Sequence, residues 1–238
     1  MRRLIRAGFK ACATCAAGAV ILGFVATPVA QAQQSLNFYV GGFTPRGETG
    51  RPIDDVLVNN LDFLVFNIRD FSSATVGGEY LVGLGDKLEA GLGIGFQTRS
   101  VPSVYRDFVN ANGSEIEQDL KLRVIPFSAT VRFLPLGNHD AITPYIGAGV
   151  GVFGWRYSET GDFFATDRTI FRGNFVGKGS AAGPVILGGV RVPVGSFGVG
   201  GEIRYQSAKG DLPSDQGFAG TKIDLGGFTY AFTVNVRF

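Results

Sequence analysis

From Ile223 to Phe238 the chain alternates apolar and polar side chains almost without a break, and a period of two is the period of a β-strand. Phe228, Tyr230, Phe232, Val234, Val236 and Phe238 share one face, while Gly227, Thr229, Ala231, Thr233, Asn235 and Arg237 share the other. A helix would group apolar residues at spacings of three and four, and this segment does not. The alternation alone does not choose between a soluble sandwich, whose apolar faces meet each other, and a membrane barrel, whose apolar faces meet lipid.

The amino terminus narrows the choice. Arg2, Arg3, Arg6 and Lys10 precede an uncharged apolar run, Ala11 to Val25, and Ala30-Gln31-Ala32 supplies a small-x-small cleavage pattern. That run falls short of the roughly 20 residues a helix needs to cross hydrocarbon. Residues 1–32 therefore read as a secretory signal peptide and 33–238 as one mature domain. Both cysteines, Cys12 and Cys15, lie in the signal, so the mature domain has no disulfide framework, cysteine metal cluster or thiol nucleophile. Four of the 22 Lys and Arg leave with it, so 18 face 20 Asp and Glu and nothing favours a nucleic-acid partner. No later stretch reaches the roughly 18 apolar residues of a membrane helix. The 36 glycines lie inside apolar segments, where they fit tight curvature better than linkers.

Alternating segments place strands near 35–44, 74–84, 88–101, 116–135, 143–159, 180–194, 197–209 and 223–238. Their connections alternate in length. Gly85-Asp86-Lys87, Gly137 to Ala141 and Gly195-Ser196 are short; 45–73, 102–115, 160–179 and 210–222 are longer and polar or mixed. Short turns at one end and long loops at the other predict an all-β fold, an eight-stranded antiparallel up-and-down transmembrane β-barrel. Both termini then lie at the short-turn, periplasmic end. Tyr80, Trp155, Tyr157, Tyr205, Tyr230 and Phe238 fall near strand ends, where interfacial aromatics belong.

Two strands fit less simply. In the fourth, Leu120, Leu122 and Val124 share one parity and Phe127, Ala129, Val131 and Phe133 the other, which predicts a β-bulge near Ile125-Pro126. In the fifth, Trp155 and Tyr157 oppose the parity of Ile146, Ala148, Val150 and Val152, so its lipid face stays open. Within 45–73, Leu57, Leu61, Leu64, Ile68 and Phe71 recur at three and four after Asp54-Asp55, which suit a helix start. The readings are a short helix capping the barrel mouth, a β-extension of the first hairpin, or a lipid- or partner-binding surface.

With these features the chain resembles the small outer-membrane β-barrel superfamily, of OmpA/OmpX, opacity-protein and OmpW type, over residues 33–238. The resemblance rests on Tyr145-Ile146-Gly147-Ala148-Gly149, on the Gly-rich hairpin Gly77 to Phe96, and on Val234-Asn235-Val236-Arg237-Phe238. It implies a multi-pass protein of a Gram-negative outer membrane. It also implies that Phe232, Val234, Val236 and Phe238 resemble the signal read by the barrel assembly machinery. Anchors, adhesins, porin-like small-solute channels and lipid-modifying enzymes share this fold, so it does not name an activity.

The faces opposite the apolar walls carry Glu79, Glu89, Arg99, Lys121, Arg123, Arg132, Arg191, Glu202, Arg204 and Arg237. An eight-stranded barrel is only wide enough for side chains, so these charges should pair into a plug built on Glu79, Glu89, Arg132, Arg191, Glu202, Arg204 and Arg237. Arg99, Lys121 and Arg123 are alternatively placed beyond the membrane. A lumen left open would favour anions, because basic residues are in excess. The single histidine, His139, sits in a short turn, away from the long loops where a histidine-based hydrolase would need it. Asp54, Asp55, Glu159, Asp162 and Asp167 lack cage-like spacing and read as solvated loop charge. Gly147-Ala-Gly-Val-Gly opens a strand and offers no helix to receive a dinucleotide. The expectation is a non-enzymatic structural anchor presenting surface loops, with no catalytic residue, cofactor or metal; the alternative is a narrow channel for small or apolar solutes. The expected partners are outer-membrane lipid and lipopolysaccharide and the assembly machinery, with the loops' own partner unnamed.

Overall fold

A computed structural model describes residues 33–138, 141–165, 167 and 169–238. The signal-peptide reading of 1–32 and the single histidine, His139, lie outside these described residues. Eight long strands carry the architecture: β1 (Gln34–Pro45), β2 (Ser73–Gly83), β3 (Leu88–Val109), β4 (Glu115–Phe133), β5 (Thr143–Phe164), β6 (Ile170–Val194), β7 (Phe197–Gln206) and β8 (Gly227–Arg237). Each pairs antiparallel with its neighbour in sequence, and β1 pairs with β8 from Ser35↔Arg237 to Pro45↔Gly227. The sheet closes on itself. Ring closure removes the two edges an open sheet would leave unpaired.

The strands are of unequal height. β3, β5 and β6 run well past the expected ends at the loop side while β4 keeps nearly its expected bounds, so the loops 102–115 and 160–179 shrink to tips around Gly113 and Asp167. The wall on that side rises above the rest. At the loop end, β1 and β2 are joined by residues 46–72, and β7 and β8 by 207–226, which fold back into the mouth. The latter segment contains a small hairpin pairing Lys209–Asp211 with Lys222–Asp224.

The expected bulge at Ile125-Pro126 is absent. Pairing of β4 with β5 is continuous from Gln118↔Gly161 to Phe133↔Ile146, and the register of β4 with β3 is the same on both sides of Pro126. The only shift between β3 and β4 falls at Val104/Val109. The even-numbered residues of β4 face inward throughout. What changes is polarity: Leu120, Leu122 and Val124 are buried inside above Pro126, whereas Thr130 and Arg132 are buried inside below it. Outside, Lys121 and Arg123 give way to Phe127, Val131 and Phe133.

β5 inverts at the same height, and this gives it a lipid face. Ile146, Val150 and Val152 point out, Val150 with 66% exposure, while Phe153, Trp155 and Tyr157 are buried inside. Trp155 and Tyr157 are therefore core residues of the upper barrel, not interfacial aromatics. Above the inversion the wall behaves as a soluble protein does, with a greasy interior and a polar exterior. Below it the order reverses.

The lower wall is an apolar belt. Leu92 and Ile146 are each 65% exposed and Phe232 is 54% exposed, a contiguous apolar surface that water would not tolerate at this size. From Ile125 to Phe133 the belt covers about 26 Å along β4, or about 20 Å after a strand tilt near 40°. That is the scale of the apolar band of a transmembrane barrel, roughly 25 Å. Inside, large aromatics fill space left by glycines. A Cβ at Gly77 would collide with the Tyr39 ring and hydroxyl, and one at Gly95 with the same hydroxyl.

Candidate functional site

Inside the belt the charges condense into two clusters. Glu79 from β2 bridges Arg132 from β4 and Arg204 from β7, the latter at 2.6 Å. Glu202 from β7 bridges the same two guanidinium groups at 3.1 and 2.7 Å. The four groups form a closed alternation of two acids and two bases. Asn37 donates to Glu79 at 3.2 Å and Tyr145 to Glu202 at 3.0 Å, which satisfies lone pairs the ion pairs leave over. Towards the turn end, Arg191 makes a two-pronged contact with Glu89 at 3.0 and 3.2 Å. The Tyr145 ring separates the clusters, with the Arg132 and Arg191 guanidinium carbons 4.9 and 5.5 Å from its centroid.

Six of the seven network residues expected from sequence meet in this way. Arg237 stands apart. It is partly exposed at the turn end and donates to Asn138 at 3.2 Å. Lys121 and Arg123 face outward, contrary to the inward placement. Arg99 keeps the inward parity but stands exposed where β2 has ended, donating to the Asp70 carbonyl at 2.8 Å. Lys121 and Arg123 were misplaced because the alternation was followed through a height at which inside and outside exchange polarity; all three stand above the belt, where the alternative placement had them.

Above the ion network, between Tyr39, Gln97, Phe153, Glu202, Arg204 and Gln206, lies a cavity of about 10 Å³. That is room for about one water. Higher still the barrel is filled by its own first loop. Val56, Leu57, Leu64, Ile68 and Phe71 pack against Leu120, Leu122, Val124, Trp155 and Tyr157 of the wall and Ile223 and Leu225 of the last loop. The helical reading of this loop holds over one short helix, α1 (Val56–Asn60), capped by the Asp55 carboxylate, which accepts from Leu57 and Val58. Leu64–Val65 adds a two-residue strand on the edge of β3.

Two buried polar groups lock this plug. Asp55 accepts from Arg51 and from the backbone N–H of Asp224, and Arg51 also donates to the Asp224 carbonyl. Asp224 in turn holds Arg46 at 3.0 Å. The first and last loops are thus tied by a chain of charges. Burial pushes the Asp55 carboxyl up, against the opposing pull of Arg51. On the far side, Glu159 of β5 accepts from Asn60 of α1 at 2.7 Å and from Tyr157 at 2.8 Å. Burial raises the Glu159 carboxyl, and these two hydrogen bonds only partly offset it. The Tyr157 phenol is driven far up by the same burial and by the neighbouring carboxylate. Asp55 and Glu159 are therefore structural, not solvated loop charge. The signal that would have found Glu159 is its parity: it continues the inward row Phe153, Trp155, Tyr157.

Asn138 lies at the end opposite the plug, where it donates to Gln33 at 2.6 Å. Phe232 and Phe238 are exposed on the outer wall, the latter at 67%, and Val234 and Val236 share their face.

No protein-family model matches the sequence, and no curated protein matches it. Solved structures similar to it are small outer-membrane β-barrel proteins. OprG of Pseudomonas aeruginosa is 13% identical, with 87% of this chain and 96% of that one covered and a TM-score of 0.49. Neisserial surface protein A is 12% identical over 87% and 97%, with a TM-score of 0.46. Outer membrane protein W of E. coli is 13% identical over 88% and 100%, with a TM-score of 0.39. The assignment of the fold rests on the closed ring of strands and its belt.

Proposed function

We propose that this chain is a non-enzymatic outer-membrane anchor whose sealed barrel holds a rigid extracellular platform for surface interaction. The observation that carries this reading is the double seal. An ion-paired layer fills the lumen within the belt, and a folded loop fills the mouth above it. A barrel closed twice has its working surface on the outside. On that side the tall hairpins of β3–β4 and β5–β6 present Phe108, Val109, Ile170 and Phe171 to solvent, and Phe108 stacks on Phe164 at 4.0 Å. Exposed aromatics on a rigid support are the usual material of a contact surface. In this reading the loop end faces outward, the termini face the periplasm, and the outer face of β8 with Phe232, Val234, Val236 and Phe238 is what the assembly machinery reads.

The test is electrical. The refolded protein in a planar bilayer is expected to show no stable unit current. Reproducible unit currents, lost when the mouth is cross-linked, would replace the anchor with a narrow channel for small solutes.

A further inference from the structure

Where the wall changes polarity, three cations stand side by side on its outer surface with no acid between them. Arg123 of β4 is directly opposite Arg156 of β5, and Arg156 is directly opposite Lys178 of β6. All three are exposed. Neighbouring strands lie about 4.8 Å apart, so the row places three positive charges within about 10 Å of wall. Like charges directly opposite in a sheet are destabilising. None of the three makes an ion pair or side-chain hydrogen bond with another described residue, although most of the barrel's buried arginines do. Lys121 sits on the same face of β4, one outward position above Arg123, and Asp119 stands beyond it.

The place of the row matters as much as its charge. One outward position below it come Ile125, Gly154 and Ser180, paired across the same strands at the upper rim of the apolar belt, which continues with Phe127, Val152 and Ala182. The row and the bare Gly154 position form a shallow groove of about 480 Å³. Packing does not require glycine there: a Cβ on Gly154 would meet only the Ile125 carbonyl, at 3.7 Å. The groove opens sideways, towards whatever surrounds the belt.

We infer that this row is a binding site for the phosphorylated headgroup of an anionic lipid in the surrounding outer leaflet. Two guanidinium groups can each grip a phosphate with paired N–H donors, and the lysine adds a third, mobile charge. The headgroup fills the groove over Gly154, and its acyl chains run down the belt past Val152 and Ala182. A lipid is the occupant because the cations sit at the top edge of the apolar belt, and the groove they line reaches down to Ile125 and Gly154 at its upper rim. The bound anion removes the repulsion that the bare row would carry. This site rests on the membrane reading above, and it names one partner of the outer wall.

The test uses the full mature chain reconstituted in phosphatidylcholine nanodiscs containing a small fraction of bisphosphorylated glycolipid, or the same glycolipid with its phosphates removed. Lipid retained by the released protein is read by native mass spectrometry. The phosphorylated form should be retained and the dephosphorylated form lost. The R123Q/R156Q/K178Q variant should retain about tenfold less or lower still, whereas R69Q/K87Q/K209Q, with the same charge loss elsewhere, should retain as much as the parent. G154L, which keeps all three charges and fills the groove, should also reduce retention. Equal retention of both lipids, equal retention by the two triple variants, or full displacement by inorganic phosphate would overturn the lipid site. Failure of the parent to enter any bilayer would overturn the membrane reading beneath it, and the two failures are distinct.

Discussion

Arg51 and Asp55 are joined at 2.8 Å with both side chains fully buried, one turn before the helix that stops the barrel mouth. The carboxylate does three things at once. It pairs with the guanidinium, caps α1, and accepts from the Asp224 backbone in the last loop. Removing it leaves a buried cation without its carboxylate, held only by backbone carbonyls, and breaking a buried pair in this way typically destabilises by about 3–5 kcal/mol. Asp55→Ala should therefore release the first loop while the ring of strands survives. Trypsin is expected to cut the folded variant at Arg46 or Arg69 at concentrations that spare the parent, with the barrel still migrating as a folded species before boiling. Unchanged resistance would show that apolar packing alone holds the plug.

Glu159 gives the plug a pH dependence of definite sign. Burial raises its folded carboxyl above the usual value near 4.5, so the folded mouth binds protons more tightly than the unfolded one. Stability from this group is then fully present below the unfolded value and is lost as pH rises through the folded one. Asp55 is raised by burial and contributes with the same sign. Amide exchange in 56–71 should slow as pH is lowered from 7 towards 4.5, after correction for intrinsic rates. Glu159→Gln should remove part of that dependence and leave the share due to Asp55. A variant with the parent's full dependence would assign all of it to Asp55.

How much of this was legible in the residues divides at one height of the wall. Strand number, ring closure, the short turns, the long first and last loops, and six members of the ion network follow from alternation and from the charges opposite apolar walls. The upper barrel did not follow, because a period-two pattern reports which residues share a face but not what that face meets. Leu122 and Phe127 are equally apolar, yet one meets the plug and the other lies on the belt. A single strand passing through two solvents must switch parity without any bulge, and the bulge expected at Pro126 was that switch misread. The Arg51–Asp55–Asp224 tie was out of reach for another reason: it joins loops 169 positions apart by contacts that no spacing encodes.

The alternation of Glu79, Arg132, Glu202 and Arg204 makes the lumen sensitive to single deletions and tolerant of paired ones. Glu79→Ala strips both arginines of an acid partner and should destabilise the barrel by about 3–5 kcal/mol, read from urea unfolding in micelles. Arg204→Met removes a base but leaves Arg132 between the two acids, so a smaller loss is expected. The double variant Glu79→Ala with Arg204→Met should lose less than the two single changes added together. Additive losses would mean that the network is no more than a set of independent pairs.

The inversion on β5 supplies a depth ruler. Val150 and Ser158 lie on the same outward face of one strand, Val150 on the apolar belt and Ser158 above it. An arginine on the lipid face of a barrel costs about 2–4 kcal/mol at the midplane and about 0–1 near the interfaces. Val150→Arg should therefore lower folding stability in phosphatidylcholine vesicles by about that larger amount, and Ser158→Arg should leave it nearly unchanged. In a soluble barrel both would be surface substitutions of similar, small effect. Equal small losses would therefore deny that the belt faces lipid. Equal large losses would place the polarity change higher on the wall than Gly154, and with it the row of Arg123, Arg156 and Lys178.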